Sequence, residues 1–331
     1  MAKSREHHWW PVGHQKHWTN KSNAINILAP DGRHETKKVK NRKVGKKSHG
    51  HTTLRGGPWE TNFEDKFEET DNRIHQIIDA INPENTVGSK WEYFKFLIKQ
   101  IGKKDRKLSD ICKFGRLSKE DDLFLLEYIL LLLIRWPSHR AVMEKYSILK
   151  DKDSVEEIGK GNMLIKVRTA EDILSRKVIS NHYYVFIHSF GREFILGDGM
   201  LDGLTSSLTG LSLQGHALLP LTPSLCLYIC TPTKMRTDVN YAAFSAPPWM
   251  VDYANEITQV YSKDQLFYRK KKPRIEQAFS RAEFCSCKYN QHPLIDHLNS
   301  ITGYGSRYRK LSGEVVEKRL FGGPLDDLLL S

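Results

Sequence analysis

The sequence predicts an α+β fold in which an N-terminal hairpin and a helical middle pack with a small mixed or antiparallel sheet. Three observations carry that reading. Apolar residues in the middle of the chain recur at spacings of three, four and seven; short β-rich runs fill 182–230; and a Pro-Asp-Gly turn starting at Pro30 parts two candidate strands.

The elements follow in order. Residues 23–39, "NAINILAPDGRHETKKV", read as the hairpin: Ile25 and Ile27 alternate before the turn, and the second strand is rich in Lys. Over 63–81 the period becomes helical, with Phe63, Phe67, Ile74, Ile77, Ile78 and Ile81 on one face and Glu64, Glu68 and Asp71 on the other. Further helices are expected over 91–101, over 119–135 with Pro137 as its stop, and over 140–149 and 162–175. "HYYVFIHS" from His182 and "EFILGD" from Glu193, separated by Phe-Gly-Arg, suggest a second hairpin. "LLPLTPSLCLYIC" from Leu218 supplies a strand after its prolines, and a helix is expected over 249–262. Residues 1–262 therefore read as a single α+β domain with a basic segment at 1–60. Residues 263–331, opening on "YRKKKPR" from Tyr268, read as a loosely structured basic extension.

Charge is unevenly placed. Residues 1–60 hold 13 Lys and Arg against 4 Asp and Glu, and the other 271 residues hold 38 against 35, so most of the net +12 sits at the start. Seven of the fourteen histidines lie there too. Such a field attracts polyanions, nucleic acid first and acidic protein or lipid second; a solubilising surface has the same composition. The most apolar run, "LFLLEYILLLLI" from Leu123, carries Glu127 and is far shorter than the ~20 residues of a membrane span, so no membrane partner is expected. The start of the chain lacks the apolar stretch of a secretory signal, and five cysteines are an odd number, which together predict a cytoplasmic protein with reduced thiols. No phosphate-binding Gly-rich Lys-Ser/Thr loop, dinucleotide fingerprint or nucleophile elbow is present, which argues against the usual nucleotide hydrolases, nicotinamide enzymes and serine hydrolases.

Several segments together resemble the bacterial family known as domain of unknown function 4238. "HHWWPVGHQKHW" is similar to its Asn-His-Tyr-x-Pro opening, with His8 and Pro11 at the His and Pro and His7 in place of Asn. "FEDKFEETDNRI" resembles its acidic helix, "RWPSHR" its Arg-x-Pro turn and "LPLTPSLCLYI" its Pro-Leu-Ser-Pro strand. "FILGDGML" resembles a strand end that has Ser-Asp-Asn-Pro where this chain has Gly197-Asp198-Gly199-Met200. The resemblance spans 6–262 and implies the order of motifs; it carries no activity to transfer.

Four constellations bear chemistry. The stretch "REHHWWPVGHQKHW" packs His7, His8, His14 and His17 among Trp9, Trp10 and Trp18. His14 and His17 are spaced to share a metal ion on a helical turn, whereas His8 as a general base needs an acid such as Glu68 or Asp198. Packed as an anchor of the fold, the same residues need neither, and Trp9 or Trp10 on a basic platform could stack nucleic-acid bases. Glu64, Glu68 and Asp71, spaced four and three, offer a carboxylate face for Mg²⁺ or Mn²⁺, although solvated helix faces look the same. Asp198, between glycines at a strand end, is a site carboxylate or a turn former. "CSCKYNQHPLIDH" offers Cys285, Cys287, His292 and His297 to zinc, but its cysteines stand closer than a knuckle uses.

Two functional readings result. The first is a metal-dependent nuclease of the toxin or phage-defence type, with His8, Glu68 and Asp198 catalytic, an Mg²⁺ or Mn²⁺ cofactor, and nucleic acid held by Lys37, Lys38, Lys40, Arg42, Lys43, Trp9 and Trp10. The second is a non-catalytic module that binds nucleic acid or an acidic protein through the same cations.

Overall fold

The computed structural model describes residues 6–39, 44–48, 51–53, 61–101, 107–145, 152–175, 182–208, 213–232, 238–284 and 292–303. Its strands are β1 (Glu6–His8), β2 (Ala24–Leu28), β3 (His34–Lys38), β4 (Lys46–Ser48), β5 (Thr52–Thr53), β6 (Thr61–Asn62), β7 (Lys113–Gly115), β8 (Tyr183–His188), β9 (Leu196–Gly197), β10 (Leu201–Asp202), β11 (His216–Thr222), β12 (Leu225–Cys230), β13 (Tyr241–Ser245) and β14 (Leu266–Tyr268). Its helices are α1 (Val12–Gln15), α2 (Asp65–Ala80), α3 (Pro83–Thr86), α4 (Lys90–Ile98), α5 (Lys119–Arg135), α6 (Pro137–Lys145), α7 (Lys152–Ser175), α8 (Pro248–Tyr261), α9 (Gln277–Ser280) and α10 (Pro293–Thr302). The fold is α+β, with helices beside small mixed and antiparallel sheets.

The larger sheet has six strands in the order β10-β11-β12-β8-β13-β7, all antiparallel neighbours except the parallel pair β8/β13. Every residue of β8, β11 and β12 is buried, so both sheet faces are covered and the strands read as unbroken apolar runs. A four-stranded sheet runs β3-β2-β14-β9, and two small ribbons pair β1 with β4 and β5 with β6.

Helix α5 has the expected bounds for local reasons. The Ser118 side chain accepts the Asp121 amide at 3.1 Å, and Glu120, Asp121 and Asp122 sit in the first turn, where the helix dipole favours anions. It ends at Arg135 because Trp136, preceding a proline, takes extended backbone. Nearly all of 124–135 is buried, which makes α5 the central helix against which α2 and α7 pack. Among the described residues no helix is long and apolar enough to cross a membrane.

Three expectations fail on long-range pairing. The hairpin joining β8 to the following strand does not form: β8 pairs with β12 and β13, whereas β9 belongs to the other sheet beside β14. The segment read as one strand after its prolines is itself a hairpin, β11 and β12. Pro220 lies within β11, and the register shifts between it and Thr222, as expected where a proline withholds a ladder donor. The stretch after residue 262 is not loose throughout: β14 sits between β2 and β9, and α10 packs on β8 and α8. The hairpin β2/β3 forms as expected, with Gly32 at φ +86° in its turn.

Candidate functional site

The site begins with a strand register. β1 pairs antiparallel with β4, setting His7 opposite Lys47 and His8 opposite Lys46, so the histidine-rich opening and the basic segment form one ribbon. Gly45 permits the approach. Its φ is +68°, its carbonyl accepts the Trp10 amide at 3.0 Å, and a side chain there would meet the Trp10 Cβ at 2.5 Å.

Beyond β4 the chain reaches His51, whose carbonyl accepts the Phe63 amide at 3.0 Å across the β5/β6 ribbon. That closure delivers Glu64, the cap residue immediately before α2, to the His51 ring. His51 Nδ1 meets Glu64 Oε2 directly, and the His8 amide donates to Glu64 Oε1 at 3.2 Å. The His51 amide donates to His7 Nδ1 at 2.7 Å, and the two imidazoles stack with centroids 5.3 Å apart. One ligand atom each from His7, His51 and Glu64 lies within 4.8 Å of the other two.

Positions 64, 67 and 71 share one face of α2. Asp71 receives the guanidinium of Arg135, the last residue of α5, in two hydrogen bonds of 2.9 and 2.5 Å. Arg135 also stands 4.8 Å from the Phe67 ring centre, and its buried Nε has no hydrogen-bond partner among the described residues.

Burial decides the charge states. It pushes His51 down to about 4 despite the hydrogen bond to Glu64, and it lowers His8, with Glu64 opposing. Burial raises Glu64, but its bonds with His51 and the His8 amide overcome this and leave it below the ordinary carboxylate range. Burial likewise opposes the charge on Arg135, and Asp71 more than offsets it. At neutral pH the centre thus holds a carboxylate and a neutral imidazole. The Glu64 contact fixes the His51 proton on Nδ1, which leaves a lone pair on Nε2.

Above this centre opens a cleft of about 400 Å³. His7, His51 and Arg135 line it together with Lys46, Lys47, Arg140 and Lys263, the rings of Trp9 and Phe284, and the acids Glu144 and Asp264. Several cations are already engaged: Lys47 reaches Glu156 at 3.3 Å, and Arg140 reaches Glu144 at 3.0 Å and Glu156 at 2.9 Å.

The residues expected to be catalytic are not brought together as such. Of the group His8, Glu68 and Asp198, His8 touches the centre through its backbone, and its buried Nε2 has no hydrogen-bond partner among the described residues. Glu68 is exposed on α2, one residue past buried Phe67, because the helix turns it away from the site. Asp198 accepts the amides of Lys263 at 2.9 Å and Asp264 at 2.8 Å, so its carboxylate staples the cleft wall to the end of β9, and burial raises it to about 6. The carboxylate face of α2 is divided: Glu64 goes to His51, Asp71 to Arg135 and Glu68 to solvent.

The remaining candidates also part. His14 is buried between the Leu221 carbonyl and the Tyr128 hydroxyl, while His17 turns to His75 at 3.2 Å, so they share no ion. Trp10 is fully buried and closed to a base, whereas Trp9 borders the cleft. Lys37, paired with Glu35 at 2.8 Å, and Lys38 lie on edge strand β3 and do not line the cleft. Lys40, Arg42 and Lys43 lie outside the described residues, as do Cys285 and Cys287; His292 faces Glu256 at 3.6 Å.

Sequence reasoning missed His51 altogether and gave Glu64 the wrong partners. A threonine-rich ribbon between a histidine and a glutamate thirteen residues apart was the available signal, and it is faint. Taken together, a carboxylate–imidazole pair, two nitrogen donors beside one oxygen donor, and a rim of cations can move protons, hold a divalent ion and attract an anion. No family model, curated protein or solved structure matches the chain.

Proposed function

We propose that this protein is a metal-dependent hydrolase of phosphodiester bonds in nucleic acid, working in the cleft above His7, His51 and Glu64. The observation that carries the reading is the convergence of those three side chains within 4.8 Å, two of which, His7 and His51, line a cleft bordered by Lys46, Lys47, Arg140 and Lys263. The cations would hold phosphate oxygens, and buried Arg135, fixed by Asp71, adds positive charge beneath them without reorganising.

Two imidazoles and one carboxylate suit Zn²⁺ or Mn²⁺ better than Mg²⁺, which prefers an oxygen shell. When bound, such an ion supplies Lewis acidity and an activated water. His51 would present Nε2, whose lone pair the Glu64 contact leaves in place, or Nδ1 after its proton moves to Nε2. His7 presents Nδ1 only by releasing the His51 amide, which costs about 0.5–1.5 kcal/mol. That cost favours the second reading, a non-catalytic module for nucleic acid or acidic protein, in which the centre stays a hydrogen-bonded anchor.

One experiment separates them. Full-length protein and a Glu64→Gln variant are incubated with labelled RNA, single-stranded DNA and duplex DNA in Mn²⁺, Zn²⁺, Mg²⁺ or chelator. Hydrolysis predicts cutting in Mn²⁺ or Zn²⁺, none in chelator, and a rate at least about 100-fold lower in the variant, whose binding persists. Binding without cutting in any ion hands the protein to the module reading.

A further inference from the structure

We infer that the cleft takes a single-stranded nucleic acid and stacks one unpaired base on the Trp9 ring. The inference rests on the proposed function for its nucleic-acid partner and goes beyond it in the class of strand. Trp9 borders the cleft and is half-buried, and its orientation is set from behind. Trp136 meets it edge-on with centroids 4.9 Å apart, Trp10 stacks at 6.3 Å and Phe267 lies at 6.1 Å. Those three rings are buried, so Trp9 offers an aromatic surface that pays little ordering entropy on binding. Phe284 lines the same cleft, with Lys263 Nζ 5.8 Å from its ring centre.

Rings beside cations are the arrangement that single strands need, because phosphates track the positive groups while bases stack regardless of sequence. A volume of about 400 Å³ falls in the range of small-ligand sites and admits a nucleotide rather than a double helix. A paired base would first have to be unstacked and swung out, at a cost of a few kcal/mol. The strand's phosphates would compete with Glu156 for Lys47 and Arg140.

The test uses full-length protein in chelator, so that nothing is cut, and oligonucleotides carrying one 2-aminopurine, whose fluorescence falls when it stacks. RNA and DNA versions, single-stranded and duplex, are titrated in parallel. The expected result is quenching by several-fold for single strands of either sugar and none for duplexes. Trp9→Leu should abolish the quenching and weaken binding about 5- to 150-fold, the equivalent of ~1–3 kcal/mol per stacked base. Trp9→Phe should keep most of both. Phe284→Ala, which removes no packing beneath Trp9, should reduce quenching if Trp9→Leu does not fold.

Single strands bound without quenching, duplexes bound as tightly, or a folded Trp9→Leu that quenches like wild type would each overturn the inference. Failure of the hydrolase reading looks different: quenching persists in chelator, yet no ion brings cleavage. Cleavage without quenching removes the stacking site and leaves the hydrolase.

Discussion

His14 and His51 are both buried imidazoles, and their partners separate anchor from candidate site. His14 donates from Nε2 to the Leu221 carbonyl at 2.5 Å and accepts the Tyr128 hydroxyl on Nδ1 at 2.9 Å, so neither nitrogen is left for chemistry. Burial pushes it down to about 3, and Trp18 binds the same carbonyl at 3.1 Å. In His51 the Glu64 contact consumes Nδ1 while the ring borders the cleft. Tyr128→Phe therefore leaves a buried acceptor unsatisfied and should lower stability by about 1–3 kcal/mol at pH 7. Urea unfolding would measure this, and an unchanged midpoint would refute the anchor role. Oligonucleotide affinity should not move, because Tyr128 does not line the cleft. The sequence could not separate His7 from His8, since neighbours in a strand face opposite sides and only the register with β4 decides which one borders the cleft.

At the scale of elements, long periodic helices and the β2/β3 hairpin were legible because their signals are local. The ends of α5 were written in Ser118 and Pro137. Strands of two or three residues, such as β9 and β14, carry no period, and their pairing joins residues 197 and 266 through tertiary packing alone. The basic segment was legible as charge, but not which lysines meet the histidines, because that depends on the β1/β4 ribbon. The start of α7 brings a further element to the cleft that its sequence did not announce: Glu156 holds Lys47 and Arg140 and competes with any incoming phosphate. A pair as exposed as Lys47–Glu156 is worth about 0.2–1 kcal/mol. Glu156→Gln should accordingly tighten nucleic-acid binding about 1.5- to 5-fold and flatten none of its salt dependence. Weaker binding in a salt titration would mean that Glu156 orders the cations rather than competing for them.

Across the molecule several buried histidines are held in the neutral form, which makes acid its predicted weakness. Burial holds His14 and His188 at about 3 and His51 and His216 at about 4, whereas an unfolded histidine titrates near 6.5. For a depressed histidine the unfolded chain binds the proton first. Its contribution is complete above about pH 6.5 and is lost as pH falls towards 3–4. Asp198 acts in the opposite sense: burial raises it to about 6, so its contribution is complete below its ordinary 3.8 and is lost as pH rises through 6. Burial also holds His17 at about 4, so five histidines outweigh Asp198 and stability falls as pH drops from 6 to 4. A domain stability of about 5–15 kcal/mol is small enough for several such groups to unfold the chain in acid. Near-ultraviolet circular dichroism followed from pH 7 to pH 3 should show one cooperative loss of signal between 6 and 4, with protons taken up on unfolding. A native spectrum and flat urea stability down to pH 4 would show that these histidines are hydrated or charged in the fold. If the proposed hydrolase reading holds, Zn²⁺ or Mn²⁺ bound by His7, His51 and Glu64 would stabilise only the folded state, so added ion should move the transition to lower pH, and Glu64→Gln should weaken that shift.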